Sequence, residues 1–515
     1  MRILVVFAIL SVLKMLIRPQ VKDLKIIGYY LGKVIIGVGL FMLLPIAVCI
    51  FFKEINPLMD FIQGISITLC VGFLLYYFCK TDDDPSWMHG LIVVSLSWLA
   101  ATVLGAIPMF LSGHWNSYLD ACFDAMSGFA TTGLTLVQGL DHMSYGHNFW
   151  RHLIMFLGGQ GIVVFALSFL VRGFSGAFKM YVGEARDERV LPNVIHTARF
   201  IWILSLVYLA LGTLVLGTVS IFEGMKPVNA YFHSACIFMA AFDTGGFAPQ
   251  SQNILYYHSF PFEIITVVFM ILGALNFKLH YAIWTGNRKE IWRNIESVIF
   301  FITVMVTFFI TAAGLVQSQS YSGAVMLFRK GFYQLISGHT GTGFQTIYAR
   351  QFIKEWGHLA LVGITIAMGL GGASCSTTGG IKMLRIGIVF KALLQDIKRI
   401  ILPESAVIID KFQHIKQIVL EDKQVRSALL ILLSYVVLYF LGALVGMALG
   451  YPFMDALFES TSAAANVGLS CGITEVSMPA VLKITYILQM WAGRLEFMSI
   501  FVLLGFFVAW VKGKR

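Results

Sequence analysis

Residues 120–135 read DACFDAMSGFATTGLT, a short apolar run that breaks into Thr and Gly. The same pattern returns as FHSACIFMAAFDTGGFA (232–248), FYQLISGHTGTGFQT (332–346) and FESTSAAANVGLS (458–470). Aligned on one glycine, the cores are A-T-T-G-L (130–134), D-T-G-G-F (243–247), T-G-T-G-F (340–344) and A-N-V-G-L (465–469). The intervals are 246−133 = 113, 343−246 = 97 and 468−343 = 125 residues. Such a period is too long for a solenoid repeat. A unit of helix, short re-entrant segment and helix accounts for it.

The flanking sequence supplies the helices. A bilayer core is crossed by roughly 20 apolar residues in a helix. Apolar stretches of span length run over 24–52, 58–79, 90–111, 148–171, 200–222, 257–284, 297–317, 357–395, 428–449 and 480–510. Strand alternation is absent, which excludes a β-barrel. The expected fold is an all-α polytopic membrane protein with four pseudo-symmetric helix–pore loop–helix repeats around one pore. The units are 88–173, 174–290, 291–400 and 401–515, with N-terminal membrane helices in 1–87. Residues 1–17, with Arg2 early and an apolar stretch broken by Lys14, read as a retained short membrane or interfacial helix, since they lack an A-x-A-like cleavage site.

Composition agrees. The chain is 58% hydrophobic and 12% charged, with mean hydropathy +0.80. A soluble domain is about 25% charged, so a cytosolic enzyme, a disordered chain and a nucleic-acid binder are excluded. The surplus of positive charge, 37−27 = +10, belongs in cytoplasmic loops. Arg172, Lys179, Arg186, Arg189 and Arg199 follow the fourth span, and Arg288, Lys289 and Arg293 the sixth. A third set, Lys391 to Arg426, follows the eighth. The alternate connections hold chiefly Lys53, Lys226, Arg329, Lys330 and Lys483. The termini of the main body are therefore expected in the cytoplasm. The seven scattered cysteines read as small buried hydrophobes, with neither disulfides nor a zinc site.

Non-helical backbone at membrane depth survives only where it lines protein or water. Exposed carbonyls there can replace the water shell of a small monovalent cation. The candidate ligands are the backbone of Ala130, Thr131, Thr132 and Gly133; Asp243, Thr244, Gly245 and Gly246; Thr340, Gly341, Thr342 and Gly343; and Ala465, Asn466, Val467 and Gly468. Each preceding helix aims its partly negative C-terminus at that point. The eighth span carries GLGGASCSTTGGIKMLRI (369–386), whose glycines and small hydroxyls break a helix in mid-membrane. It lacks the phosphate-cradle spacing.

With these motifs the chain resembles the Trk/Ktr/HKT potassium uptake superfamily, and within it the TrkH-type subunits, from about residue 24 to the C-terminus. The resemblance implies four pore units in one chain and two extra N-terminal helices, here 24–52 and 58–79. It maps the filter glycine onto Gly133, Gly246, Gly343 and Gly468; Gly at 133, where sodium-transporting plant relatives have Ser, favours potassium. Potassium is the only metal ion implied, as substrate, and no cofactor is expected in this chain. A TrkH-like A-G-S-T-G-G-G-x-K stretch forms an intramembrane loop that obstructs the pore. By that likeness the gate is Gly371, Gly372, Ser374, Ser376, Thr377, Thr378, Gly379 and Gly380. One departure is plain: the second segment has about four extra residues between Phe232-His233-Ser234 and its filter, and places Asp243 three before Gly246.

Arg494 lies near the middle of the last apolar stretch, where a charge is costly and faces a pore or an ion partner. Family members carry a similar Gly-Arg pair whose Arg projects under the filter, which makes Arg494 the expected pore barrier. Asp243 is a candidate on the ion path. Asp120, Asp124, Asp455 and Glu459 suit the positive N-terminal ends of their pore helices. The resemblance further implies a homodimer, a cytoplasmic nucleotide-binding regulatory subunit of the TrkA type and a cytoplasmic (inner) membrane location. The basic loops 172–199 and 387–427 are the docking surface, and anionic membrane lipid suits them equally. No nucleic acid partner is expected. The first alternative is a sodium-selective or sodium/proton-coupled cation transporter of the same fold. The second, an intramembrane enzyme, needs paired catalytic groups at one depth. Neither two mid-span aspartates nor Ser with Lys or His is found, so a non-enzyme is expected.

Overall fold

A computed structural model describes residues 18–161, 180, 194–321, 323–403 and 408–513. The expected helix at 1–17, Arg172, Lys179, Arg186 and Arg189 lie outside the described residues.

The chain enters through α1 (Val21–Phe41) and α2 (Leu43–Phe52). Pro45 has no N–H for the carbonyl four residues back, so the helix is interrupted at Met42. α3 (Ile55–Phe78) packs along α1, and α4 (Trp87–Leu111) starts at Ser86, whose hydroxyl accepts from His89 N at 3.3 Å. A short helix, α5 (Tyr118–Phe129), then precedes α6 (Tyr145–Gln160). The arrangement recurs with α7 (Val194–Phe222), short α8 (Pro227–Phe242), α9 (Phe260–Ala274) and α10 (Phe277–Trp284). It recurs again with α11 (Ile295–Gln317), short α12 (Tyr333–His339), α13 (Gly357–Gly369) and α14 (Met383–Ile401). A hairpin of β1 (Lys411–His414) and antiparallel β2 (Lys416–Val419) leads to α15 (Asp422–Ala448), short α16 (Phe453–Ala464), α17 (Ala480–Arg494) and α18 (Met498–Lys512).

Among the described residues, six helices are long and apolar enough to cross a membrane, or eight if each bent pair is one span. The protein is a multi-pass membrane protein. Its outward faces carry large apolar side chains such as Phe78, Leu214, Phe309 and Leu444, all exposed. Its interior holds charges such as Asp124, Arg151 and Glu459, all buried. That inversion of the soluble pattern is what a lipid solvent requires.

Two expected spans are corrected. Residues 257–284 form α9 and α10, bent by 102°, because Leu275 is extended and Asn276 caps a new helix with its side-chain oxygen 2.8 Å from Lys278 N. Residues 480–510 form α17 and α18, bent by 113°, because Glu496 and Phe497 adopt left-handed φ of 50° and 72°. The cysteines are free thiols, four of them buried, but Cys70 is exposed on the outer face of α3.

Candidate functional site

The four short helices α5, α8, α12 and α16 end at Phe129, Phe242, His339 and Ala464, each four residues before its glycine. α8 has 16 residues where α5 and α16 have 12, yet its C-terminal register is the same. The extra residues of the second segment therefore extend its helix backwards, to Pro227 at the first position.

Beyond each helix the backbone turns alike. The N–H groups of Thr132, Gly245, Thr342 and Val467 donate to the carbonyls of Ser127, Ala240, Ser337 and Ser462, at 2.7–2.9 Å. Thr131, Thr244, Gly341 and Asn466 are left-handed, with φ of 54°, 50°, 70° and 56°. The aligned glycines are left-handed too: Gly133 (93°), Gly246 (72°), Gly343 (82°) and Gly468 (94°). They also meet one another. A Cβ on Gly133 would lie 2.3 Å from Gly245 O, and on Gly246 2.1 Å from Thr342 O. On Gly343 it would lie 2.0 Å from Val467 O, and on Gly468 2.0 Å from Thr132 O. The contacts run from the first segment to the second, third, fourth and back to the first. Segments far apart in sequence thus close one ring of backbone, with a carbonyl at every junction. Only glycine fits its four corners.

Side chains from the short helices fasten the way out of the ring. Asp124 accepts from Thr135 Oγ1 (2.5 Å) and Leu136 N (2.6 Å). Glu459, at the same distance before its glycine, accepts from Ser470 Oγ (2.8 Å), Cys471 N and Thr474 N (both 2.9 Å). Gln334 donates to Thr346 Oγ1 at 2.8 Å. The corresponding residue of the second segment is Ile237, which makes no such bond. Asp120 is consumed in a buried ion pair with Lys483 at 2.6 Å. Asp455 is a first-turn acid whose backbone oxygen receives Cys471 Sγ at 3.5 Å. The sequence presents these carboxylates as complements of helix ends. In the fold only Asp120 and Asp455 lie in a first turn; Asp124 and Glu459 sit a turn further in, away from the positive helix end, and hold the exit loops instead.

The broken stretch between α13 and α14 is a compact loop. Leu370 pairs with Ile381, and Gly369 O accepts from Ile381 N (3.2 Å) and Tyr439 OH (3.1 Å). Gly371 N donates to Ile381 O (2.9 Å) and Gly372 N to Thr378 Oγ1 (3.0 Å). Ser376 Oγ donates to Ala373 O (2.5 Å). Ser374 N donates to Glu296 Oε1 at 2.5 Å, and Lys382 Nζ donates to Thr378 O. Gly380 is left-handed, at φ 68°.

This loop lies against all four segments. Thr131 Oγ1 donates to Thr377 O (3.4 Å), and the Thr244 and Thr377 hydroxyls are 3.2 Å apart. Thr377 Oγ1 reaches Phe242 O at 2.9 Å. The nearest neighbours of Gly341 include Thr378 and Gly379, and a Cβ on Gly379 would lie 2.4 Å from Ala465 O.

Arg494 sits at the same junction. Its guanidinium donates to Thr377 O (2.5 Å), Gly158 O (2.5 Å) and Thr131 Oγ1 (3.3 Å). It joins the loop, the end of α6 and the first segment. Glu496, two residues on, pairs with Arg385 instead. Asp243 is fully buried, and its carboxylate accepts from Gln160 Nε2 at 2.7 Å while lying against Gly159. That side chain therefore faces α6, where Gln160 also accepts from Ser205 Oγ (2.8 Å). Sequence reasoning missed Gln160, Glu296 and Lys382. The one available signal was a polar or charged residue within or beside an apolar stretch.

Comparison with known proteins follows the same lines. The TrkH family model, described as cation transport protein, matches residues 57–506. An uncharacterized cation transporter of Methanocaldococcus jannaschii is 31% identical over 482 residues, 94% of this chain and 95% of that protein. The Trk system potassium uptake protein TrkH of Escherichia coli K12 is 27% identical over 472 residues, 90% of this chain and 94% of that one. The crystal structure of the potassium transporter TrkH from Vibrio parahaemolyticus superposes with a TM-score of 0.76 at 24% identity. That match covers 93% of this chain and 98% of the other.

Proposed function

The chain belongs to the TrkH family of cation transport proteins, and on that premise we propose that it carries potassium into the cell through a channel-like pore. The observation that carries this reading is the closed ring of four glycine corners with a carbonyl at each junction. An entering ion exchanges water for the carbonyls of 130–133, 243–246, 340–343 and 465–468, and no side-chain charge is needed to hold it. The four pore units surround that single path.

The loop at 371–380 is the gate. It touches every segment on the side of the short-helix C-termini, so an ion leaving the ring meets it next. Arg494 has two effects there: its charge repels a cation, and its fork ties Thr377 O to Gly158 O. The loop moves only when those bonds exchange for others.

The proposed setting is the cytoplasmic membrane with the main-body termini inside. A second copy of the chain and a nucleotide-binding regulatory subunit of the TrkA type are the proposed partners. The latter would dock on the basic stretch 387–427, which includes the β1–β2 hairpin. Transport of this kind involves no catalytic step and no resident cofactor.

The test is growth at low potassium in cells that lack their own potassium uptake. Rescue by this chain, measured with rubidium uptake in the presence and absence of sodium, is expected. Failure to rescue at normal membrane abundance would refute the reading. Rescue that depends strictly on sodium would move it to the coupled alternative.

A further inference from the structure

The second segment lacks the fastening that a polar side chain of its own short helix gives to the others, because Ile237 stands at that position. Its exit is held from elsewhere. Asn148 of α6 donates to Pro249 O at 3.0 Å, and the Arg151 guanidinium lies 4.2 Å from the Phe247 ring centre. Closest to the ring is Asn253. Its Nδ2 donates to Gly246 O at 3.1 Å, while its Oδ1 accepts from Ile254 N at 2.8 Å and from Gln345 N at 3.2 Å.

The orientation of this amide is unambiguous. Two partners are N–H groups and one is a carbonyl, so oxygen and nitrogen each have one possible place. Asn253 is left-handed, at φ 54°, a conformation that Asn and Asp tolerate better than other side chains. Gln345 lies two residues past Gly343. One half-buried side chain therefore grips the carbonyl of one ring glycine and bridges to the neighbouring segment.

We propose that Asn253 is a specificity-determining positioning residue, which fixes the Gly246 carbonyl and thereby sets discrimination between potassium and sodium. This rests on the transport reading above. A carbonyl free to swing adapts to a smaller ion, whereas one held by an amide and a neighbouring segment does not. The other three ring glycines sit in segments fastened by Asp124, Gln334 and Glu459, so the second is where a side chain outside the short helix has this control.

The test separates gripping the carbonyl from merely anchoring the loop. Asn253→Asp keeps both bonds from Ile254 N and Gln345 N and the tolerance for a left-handed backbone. It replaces the donor to Gly246 O by an oxygen. Full-length protein in liposomes is assayed for rubidium uptake, competed by potassium or by sodium, and read as the ratio of half-inhibiting concentrations. A new negative charge attracts both ions, so the ratio reports geometry. The ratio is expected to fall by about fivefold, the size of one lost hydrogen bond. An unchanged ratio in Asn253→Asp overturns the proposal. If that variant does not accumulate, Asn253→Ala is assayed in the same way: a fallen ratio supports the proposal and an unchanged one overturns it. A wild type that takes up no rubidium overturns the transport reading, and this assignment with it.

Discussion

Gly468→Ala would place a Cβ 2.0 Å from Thr132 O on a backbone with φ of 94°. Neither term can relax without moving another segment of the ring. Potassium or rubidium uptake is expected to drop at least ~tenfold, in line with the strain of one such residue. Near-normal uptake at equal abundance would remove the ring from the ion path. Arg494→Ala is a different kind of change. It takes away a charge and the fork to Thr377 O and Gly158 O. Uptake per molecule is expected to rise about tenfold, since a hydrogen bond to a charged group is worth more than a neutral one. An unchanged rate counts against both the barrier and the tie. Glu459→Gln tests fastening instead. Gln turns an N–H₂ toward donors that now meet Glu459: Ser470 Oγ, Cys471 N and Thr474 N. Stability in detergent is expected to fall by about 2 kcal/mol, and an identical melting curve would deny the latch. Of these residues, Arg494 and the glycine were legible as candidates. The partners of Glu459 were not, because the loop that returns to it has no periodic pattern.

At the scale of elements, the short helices are the clearest case of sequence and structure agreeing. A run that ends four residues before a glycine is a local property, and it holds in all four. The second segment differed in length, and the structure puts its extra residues at the start of α8, away from the ring. The breaks after α9 and α17 were not legible. Both sit inside long apolar stretches, and hydropathy measures transfer to lipid, not backbone direction. The bends depend on Asn276 capping a new helix and on the left-handed pair Glu496–Phe497. The broken stretch of the third unit was legible because its glycines and hydroxyls interrupt the apolar run itself. Shortening it between Gly372 and Gly379 is expected to raise potassium flux about tenfold, if one charged tie and several neutral ones hold the closed state. Equal flux from a deletion that keeps its fold would leave the loop as packing only.

For the whole molecule, the distribution of positive charge predicts how the chain lies in the membrane. Two cations of the weaker set are also used up in pairs: Lys483 with Asp120 at 2.6 Å, and Arg329 with Glu263 at 2.6 Å. That sharpens the contrast with the exposed hairpin lysines Lys411 and Lys416. In sealed cells, Lys416→Cys is expected to react with an impermeant thiol reagent only from the cytoplasmic side, and Gln252→Cys only from the other. Labelling of both from one side would overturn the arrangement. The sequence by itself determined the membrane class, most of the spans, the four Thr/Gly segments and the broken helix, because apolar length, charge bias and helix-breaking residues are local quantities. Only the tertiary structure decided that the segments close in a ring, that Asp243 turns to Gln160, and that Arg494 binds carbonyls while Glu496 takes Arg385. Those choices are made by contacts between residues as far apart as Thr131 and Arg494. Within a low-dielectric interior each buried polar group must take whichever partner the packing brings within reach.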